Sequence, residues 1–122
     1  MTKGGNKRLV FYPGRREAVS LHFVWDTLIV RELIGKQKVA DVAASIEKMN
    51  FINEKEWPKG TPEYWANESR AFAYGVAYLG IAADGPPPHL SPNYLNQAIS
   101  DVRPQLKRAG VRLATVLNQT LK

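Results

Sequence analysis

Residues 21–28 read Leu21-His22-Phe23-Val24-Trp25-Asp26-Thr27-Leu28. Leu21, Val24, Trp25 and Leu28 fall at i, i+3, i+4 and i+7, which is one apolar stripe of a helix. His22 and Asp26 are four residues apart, so their side chains share a face one turn apart. An imidazole nitrogen and a carboxylate oxygen so placed can close on one small cation, and zinc takes both ligand types. The pair sits at the edge of the apolar stripe, where a metal can be reached from a cleft. Taken alone, such a pair is far more often a hydrogen bond on a helix face, or two exposed side chains, than a metal site. The flanking sequence has to decide.

Downstream, Gly35 interrupts this helix near its end. Val39, Val42, Ala43, Ile46 and Met49 then repeat at helical spacing, with Asn50 as a stop. A polar connection from Asn53 to Gly60 follows. Thr61-Pro62 reads as an N-cap followed by a proline at the first helical position, a place where its missing N–H costs nothing. Trp65, Phe72, Val76 and Leu79 carry that helix to about Gly80. Asp84-Gly85-Pro86-Pro87-Pro88 cannot be helical, because proline fixes φ and removes the donor. Ser91-Pro92 repeats the cap-and-proline start. Leu95, Ile99, Val102, Leu106, Ala109, Leu113 and Val116 are then spaced 4-3-4-3-4-3, which predicts a seam packed on other helices. Pro104 lies inside it and predicts a kink or an unpaired carbonyl.

Upstream, residues 1–20 read as a loop with at most a short strand near Leu9–Tyr12 and a turn at Pro13-Gly14. The fold predicted is all-α: about four helices and an irregular N-terminal arm, forming one region over 1–122, with the arm at 1–20 and the helical part at 21–122. Twenty residues without regular structure usually pack against something.

At 122 residues the chain forms one domain, able to bury roughly two thirds of its unfolded surface. A formal net charge of +6 favours anionic partners, nucleic acid among them. Lys3, Lys7, Arg8, Arg15 and Arg16 place much of that charge early. With no cysteine, disulfides and thiolate metal sites are excluded. No segment approaches the roughly 18 apolar residues of a membrane span, and residues 1–20 show no signal peptide.

Four further stretches carry a resemblance: Gly4-Gly5-Asn6, the Leu9-Val10-Phe11 segment with its Pro13-Gly14 turn, Trp65-Ala66-Asn67-Glu68-Ser69, and Ala109-Gly110-Val111-Arg112-Leu113-Ala114 followed by Leu117-Asn118. In this order around the Leu-His-x-x-Trp-Asp run, the chain resembles the C-terminal portion of the S1/P1 nuclease family, from about Gly4 to Asn118. The resemblance implies zinc-dependent hydrolysis of single-stranded DNA and RNA and of 3′-nucleotides, by an exported enzyme that binds three zinc ions. It implies metal-ligand roles for His22 and Asp26, which would belong to one of the three zinc sites. It also implies a nucleobase pocket lined by Gly4 and Asn6. A glycine there permits close approach of a ring, and an asparagine amide can pair with a base edge. No catalytic residue is implied within this chain. The other zinc ligands would lie in an N-terminal half, missing or separately encoded, so the chain alone is expected to be inactive.

Ser20 departs from the family pattern, which commonly has asparagine there. Trp25 and Trp65 are read as core residues, Glu68 as a hydrogen-bonding link between helices, and His89 as an exposed histidine outside any ligand set. Two other readings stand beside the nuclease one: a non-catalytic helical remnant binding nucleic acid or a separately encoded half, and a zinc hydrolase of the phospholipase C type. The Gly-Gly-Asn turn together with the Leu-His-x-x-Trp-Asp run favours the nuclease.

Overall fold

Three hydroxyl side chains set where the helices begin. In the computed structural model, which describes residues 8–121, Ser20 Oγ accepts the Phe23 N–H at 3.0 Å. Thr61 Oγ1 does the same for Tyr64 at 3.2 Å, and Ser91 Oγ for Tyr94 at 3.0 Å. Each satisfies one of the amide groups that the first turn of a helix leaves without an internal partner. Pro62 and Pro92 occupy the first turns behind the second and third caps, as their sequences predict.

The described residues form four helical stretches, three of them from these starts and one, Val39–Lys48, without a side-chain cap. The first, α1 (residues 21–34), is α-helical over Leu21–Phe23, widens to a π turn over Val24–Leu28 and returns to α over Ile29–Ile34. It ends at Gly35, whose φ of 58° is a backbone angle that glycine alone adopts without strain. Next comes α2, Val39–Lys48. The third, α3 (residues 62–77), is α-helical over Pro62–Phe72 and a π turn over Ala73–Ala77. The fourth, α4, is Pro92–Thr120, unbroken through Pro104. At 1.5 Å per residue it is about 43 Å long. Pro104 cannot donate to the carbonyl of residue 100; Ser100 is exposed, so water can reach it. The fold is all-α in character, as predicted.

The arm is less irregular than its sequence suggests. Leu9–Val10 (β1) pairs antiparallel with Val19–Ser20 (β2), with Leu9 opposite Ser20 and Val10 opposite Val19. Phe11 continues the pairing on the other side: its N–H donates to Pro88 O at 2.8 Å, and its carbonyl accepts the Leu90 N–H at 2.9 Å. The proline segment therefore packs along the hairpin instead of hanging free. Arg8 and Val10 both face inward while Leu9 is 44% exposed, the period-2 alternation of a strand. Arg8 is buried and donates from Nη1 to Gly85 O at 3.1 Å and from Nη2 to Pro86 O at 3.4 Å, tying the proline segment to the arm.

The core runs from Val10 through Leu21, Val24, Leu28, Ile29 and Leu33 of α1, Val42 and Ile46 of α2, and Leu90, to Ala98 and Val102 of α4. Ile29–Ile34 and α2 both pack on α4. The seam predicted along the whole of α4 is filled only in its first half. Leu106, Leu113 and Val116 are 41%, 61% and 39% exposed. Leu106 borders an apolar groove shared with Leu33, Val42 and Ile46 of α1 and α2, whereas Leu113 and Val116 lie beyond it, and α3 meets α4 mainly through charge.

That charged contact is built around Glu68. Its Oε1 accepts from Arg108 Nη1 at 2.6 Å and its Oε2 from Arg112 Nη2 at 2.7 Å. Arg112 also donates from Nε to Trp57 O at 3.0 Å, and its guanidinium lies 5.1 Å from the centre of the Trp65 ring. Glu68 thus links two helices, as expected, whereas Trp65 is a half-buried platform under an arginine and lies outside the apolar core. The connection before α3, read as simply polar, contains a short 3-10 turn, Glu54–Glu56, and the buried Trp57. Lys107 holds it from α4, donating to Met49 O at 2.7 Å and pairing with Glu54 at 2.9 Å. No described helix is long and apolar enough to cross a membrane.

Candidate metal centre

His22 and Asp26 come from the start of α1, where the chain leaves β2 and the Ser20 cap fixes the first turn. Leu21, Val24 and Leu28 anchor the inner face of this segment in the core. That anchoring turns the opposite face outward, and the His22 and Asp26 side chains are 48% and 61% exposed. His22 Nε2 lies 2.5 Å from Asp26 Oδ2. The structure therefore brings the two predicted ligands together.

The donor set fits a zinc ion: one imidazole nitrogen and one carboxylate oxygen, converging on the same point. Ligands about 2.0–2.1 Å from a tetrahedral zinc stand roughly 3.3 Å apart. The pair needs to open by less than about 1 Å, which side-chain torsions can supply. The number of donors is short of a closed site, which takes three or four protein ligands. Among the described residues no group of three or more histidine, cysteine, aspartate or glutamate side chains lies together. His89, read as an exposed histidine, is exposed and lies stacked on Phe11, with ring centres 4.5 Å apart. Gly4 and Asn6, the predicted nucleobase contacts, lie outside the described residues, as do Lys3 and Lys7.

Ser20, the departure from the family pattern, caps the helix that carries both candidate ligands. Its substitution for asparagine keeps a capping side chain at that position.

A pocket of about 160 Å³ opens beside the pair, lined by Leu21, His22, Trp25 and Asp26 from α1, and by Phe72, Ala73, Ala77 and Tyr78 from α3 and the turn after it. Trp25 packs partly against the core, as expected, but it also has a polar role. Its Nε1–H donates to Tyr94 Oη at 2.9 Å, and the Tyr94 hydroxyl donates to Ala77 O at 2.6 Å. Burial pushes the Tyr94 phenol up to about 12, against a smaller lowering by the Trp25 hydrogen bond, so it stays a neutral donor at any physiological pH. This relay across α1, α3 and α4 has no signature in the sequence, because its three residues are far apart in the chain.

Two comparisons with known proteins bear on the family of the chain. The profile of the family described as S1/P1 Nuclease matches residues 1–122. Nuclease PA3 of Penicillium sp and Nuclease P1 of Penicillium citrinum are each 29% identical to the chain over 132 residues, covering 95% of this chain and 48% of either relative. The chain spans about half the length of the curated relatives it matches. With the helical fold and a match over its whole length, the chain belongs to the S1/P1 nuclease family.

Proposed function

We propose that this chain is the part of a zinc-dependent nuclease that supplies His22 and Asp26 to one zinc ion, within an enzyme hydrolysing phosphodiester bonds of single-stranded DNA and RNA and of 3′-nucleotides. The observation that carries the proposal is the convergence of His22 Nε2 and Asp26 Oδ2 to 2.5 Å on an exposed helix face, in a chain matched end to end by this family. A zinc ion held there would neutralise phosphate charge and make a water more acidic at neutral pH. His22 and Asp26 would hold and orient it from one helical turn, fixed by the Ser20 cap and by the core beneath. Gly4 and Asn6 are proposed to receive the nucleobase. The net charge of +6 draws polyanions towards the surface.

Two donors do not close a zinc site, so the remaining ligands are proposed to come from polypeptide equivalent to the half of the relatives this chain does not span. The chain alone is therefore expected to leave single-stranded DNA intact in the presence of added zinc. Cleavage by the purified chain that His22→Ala abolishes would overturn the incomplete-site part of the proposal. Export from the cell, as the family resemblance implies, belongs to the same reading.

A further inference from the structure

The hairpin that leads into α1 carries a cation held in place without a carboxylate. Tyr12-Pro13-Gly14-Arg15 is a β-turn, closed by the Arg15 N–H donating to Tyr12 O at 3.0 Å. Pro13 and Gly14 occupy its centre, and the Gly14 φ of 83° is the angle that the second central residue of a type II turn takes. The turn sends Arg15 back across the start of α1, where its guanidinium lies 5.7 Å from the centre of the Phe23 ring. Phe23 is a firm support. The Ser20 cap holds its N–H, and its ring packs on the core, as that of Tyr12 does. Burial and the Glu32 carboxylate push the Tyr12 phenol up while Arg15 pulls it down, so the guanidinium lies within electrostatic range of Tyr12 as well. The ion pairs among the described residues engage Lys59, Lys107, Arg108 and Arg112 and leave out Arg15.

We propose that Arg15, backed by Phe23, is a specificity-determining contact for single-stranded nucleic acid, taking the phosphate next to the one at His22 and Asp26. The proposal rests on the nuclease reading. Three observations carry it. A guanidinium lying over a ring keeps its planar N–H fork for an anion, and that fork matches two phosphate oxygens. The side chain is also placed before any ligand arrives, so it loses little freedom on binding. Lastly, Phe23 directly follows His22, which puts the cation and the candidate metal ligand on neighbouring sectors of one helical turn.

A strand with one phosphate at the metal pair passes Arg15 with an adjoining one. A mononucleotide has no second phosphate to offer. Arg15 therefore raises affinity for polynucleotide over mononucleotide, a preference that His22 and Asp26 alone do not create. Arg16 is exposed beside it and adds charge, but among the described residues no ring supports it.

The test measures binding of a labelled oligothymidylate to the full chain by fluorescence anisotropy over a range of salt, and binding of thymidine 3′-phosphate by NMR. The variants are Arg15→Gln, Arg15→Lys, Arg16→Gln and Lys48→Gln, the last an exposed cation at the end of α2. Arg15→Gln is expected to bind the oligonucleotide about tenfold more weakly at low salt. Its slope of log K against log salt should be shallower by about 0.7, and its binding of thymidine 3′-phosphate unchanged. Arg15→Lys should restore the slope but only part of the affinity, since an ammonium lacks the fork. Arg16→Gln and Lys48→Gln should each cost less than about twofold. Circular dichroism checks the fold; if Arg15→Gln does not fold, Arg15→Lys carries the test through lost affinity at an unchanged slope. Oligonucleotide binding that is absent in the parent, unchanged in Arg15→Gln, or reduced equally in Lys48→Gln overturns the proposal. So does an equal Arg15-dependent loss with thymidine 3′-phosphate or with phosphatidylserine vesicles, which would assign Arg15 to a lone phosphate or a lipid headgroup. Zinc titrated into the same samples separates the two readings. An Arg15-dependent oligonucleotide contact without a zinc response at His22 keeps the contact and removes the metal pair, and a zinc response with oligonucleotide binding indifferent to Arg15 does the reverse.

Discussion

Tyr94 shows how a single side chain can hold a site it does not enter. Its hydroxyl accepts from Trp25 and donates to Ala77 O, so Tyr94→Phe leaves a part-buried indole N–H and a carbonyl without that partner. The expected cost is about 1–3 kcal/mol, read as a shift in the urea midpoint. The same phenol predicts an alkaline limit. Its folded value of about 12 lies above the ordinary 10.0. The stabilisation is therefore complete below about pH 10 and lost as pH rises through about 12. Tyr94→Phe should show a correspondingly flatter stability profile over that window. Tyr94 was legible in the sequence only as a helix position. Its role depends on contacts spanning 69 and 17 residues, and a local pattern carries no information about those. His22 and Asp26 were legible, since a spacing of four fixes their relation whatever the rest of the fold does.

At the scale of elements, the starts of the helices were readable and their internal irregularities were not. Ser20, Thr61 and Ser91 cap neighbours three residues away, an interaction the sequence contains in full. The π turns at Val24–Leu28 and Ala73–Ala77 have the same residue types as an α-helix, so no periodicity reports them. The hairpin was half legible. Leu9-Val10-Phe11 suggested a strand, but its partner Val19–Ser20 is two residues long and too short for a pattern. The α3–α4 contact is legible from one side only: Glu68 is expected to link helices, while nothing local to Arg108 and Arg112 marks them as its partners. These three side chains are 26%, 18% and 11% exposed. Glu68→Ala leaves two largely buried guanidinium groups without their carboxylate, and a loss of about 2–4 kcal/mol is expected by urea denaturation. Glu68→Asp, too short to span both arginines, should recover only part of it. Ser20→Ala should cost about 1 kcal/mol and loosen the first turn of α1, visible as faster amide exchange at Phe23.

For the whole molecule, two features set the behaviour. The second half of α4 carries Leu113, Val116 and Leu117 at 61%, 39% and 46% exposure, an apolar stripe of the kind that promotes association. Leu113→Lys with Leu117→Lys is expected to lower the sedimentation-average mass at high protein concentration and to leave the helical content unchanged. The other feature is the exposed His22–Asp26 pair, proposed here as two donors of a zinc site whose remaining ligands come from polypeptide beyond the half of the relatives that this chain spans. That claim is tested most directly by titrating zinc into the isotopically labelled chain at neutral pH and following the His22 imidazole by NMR. The prediction is a saturable perturbation centred on His22 and Asp26 at one zinc per chain, too weak to survive dialysis and absent in the His22→Ala, Asp26→Ala double variant. No localised change at His22, or the same change in the double variant, would contradict the account.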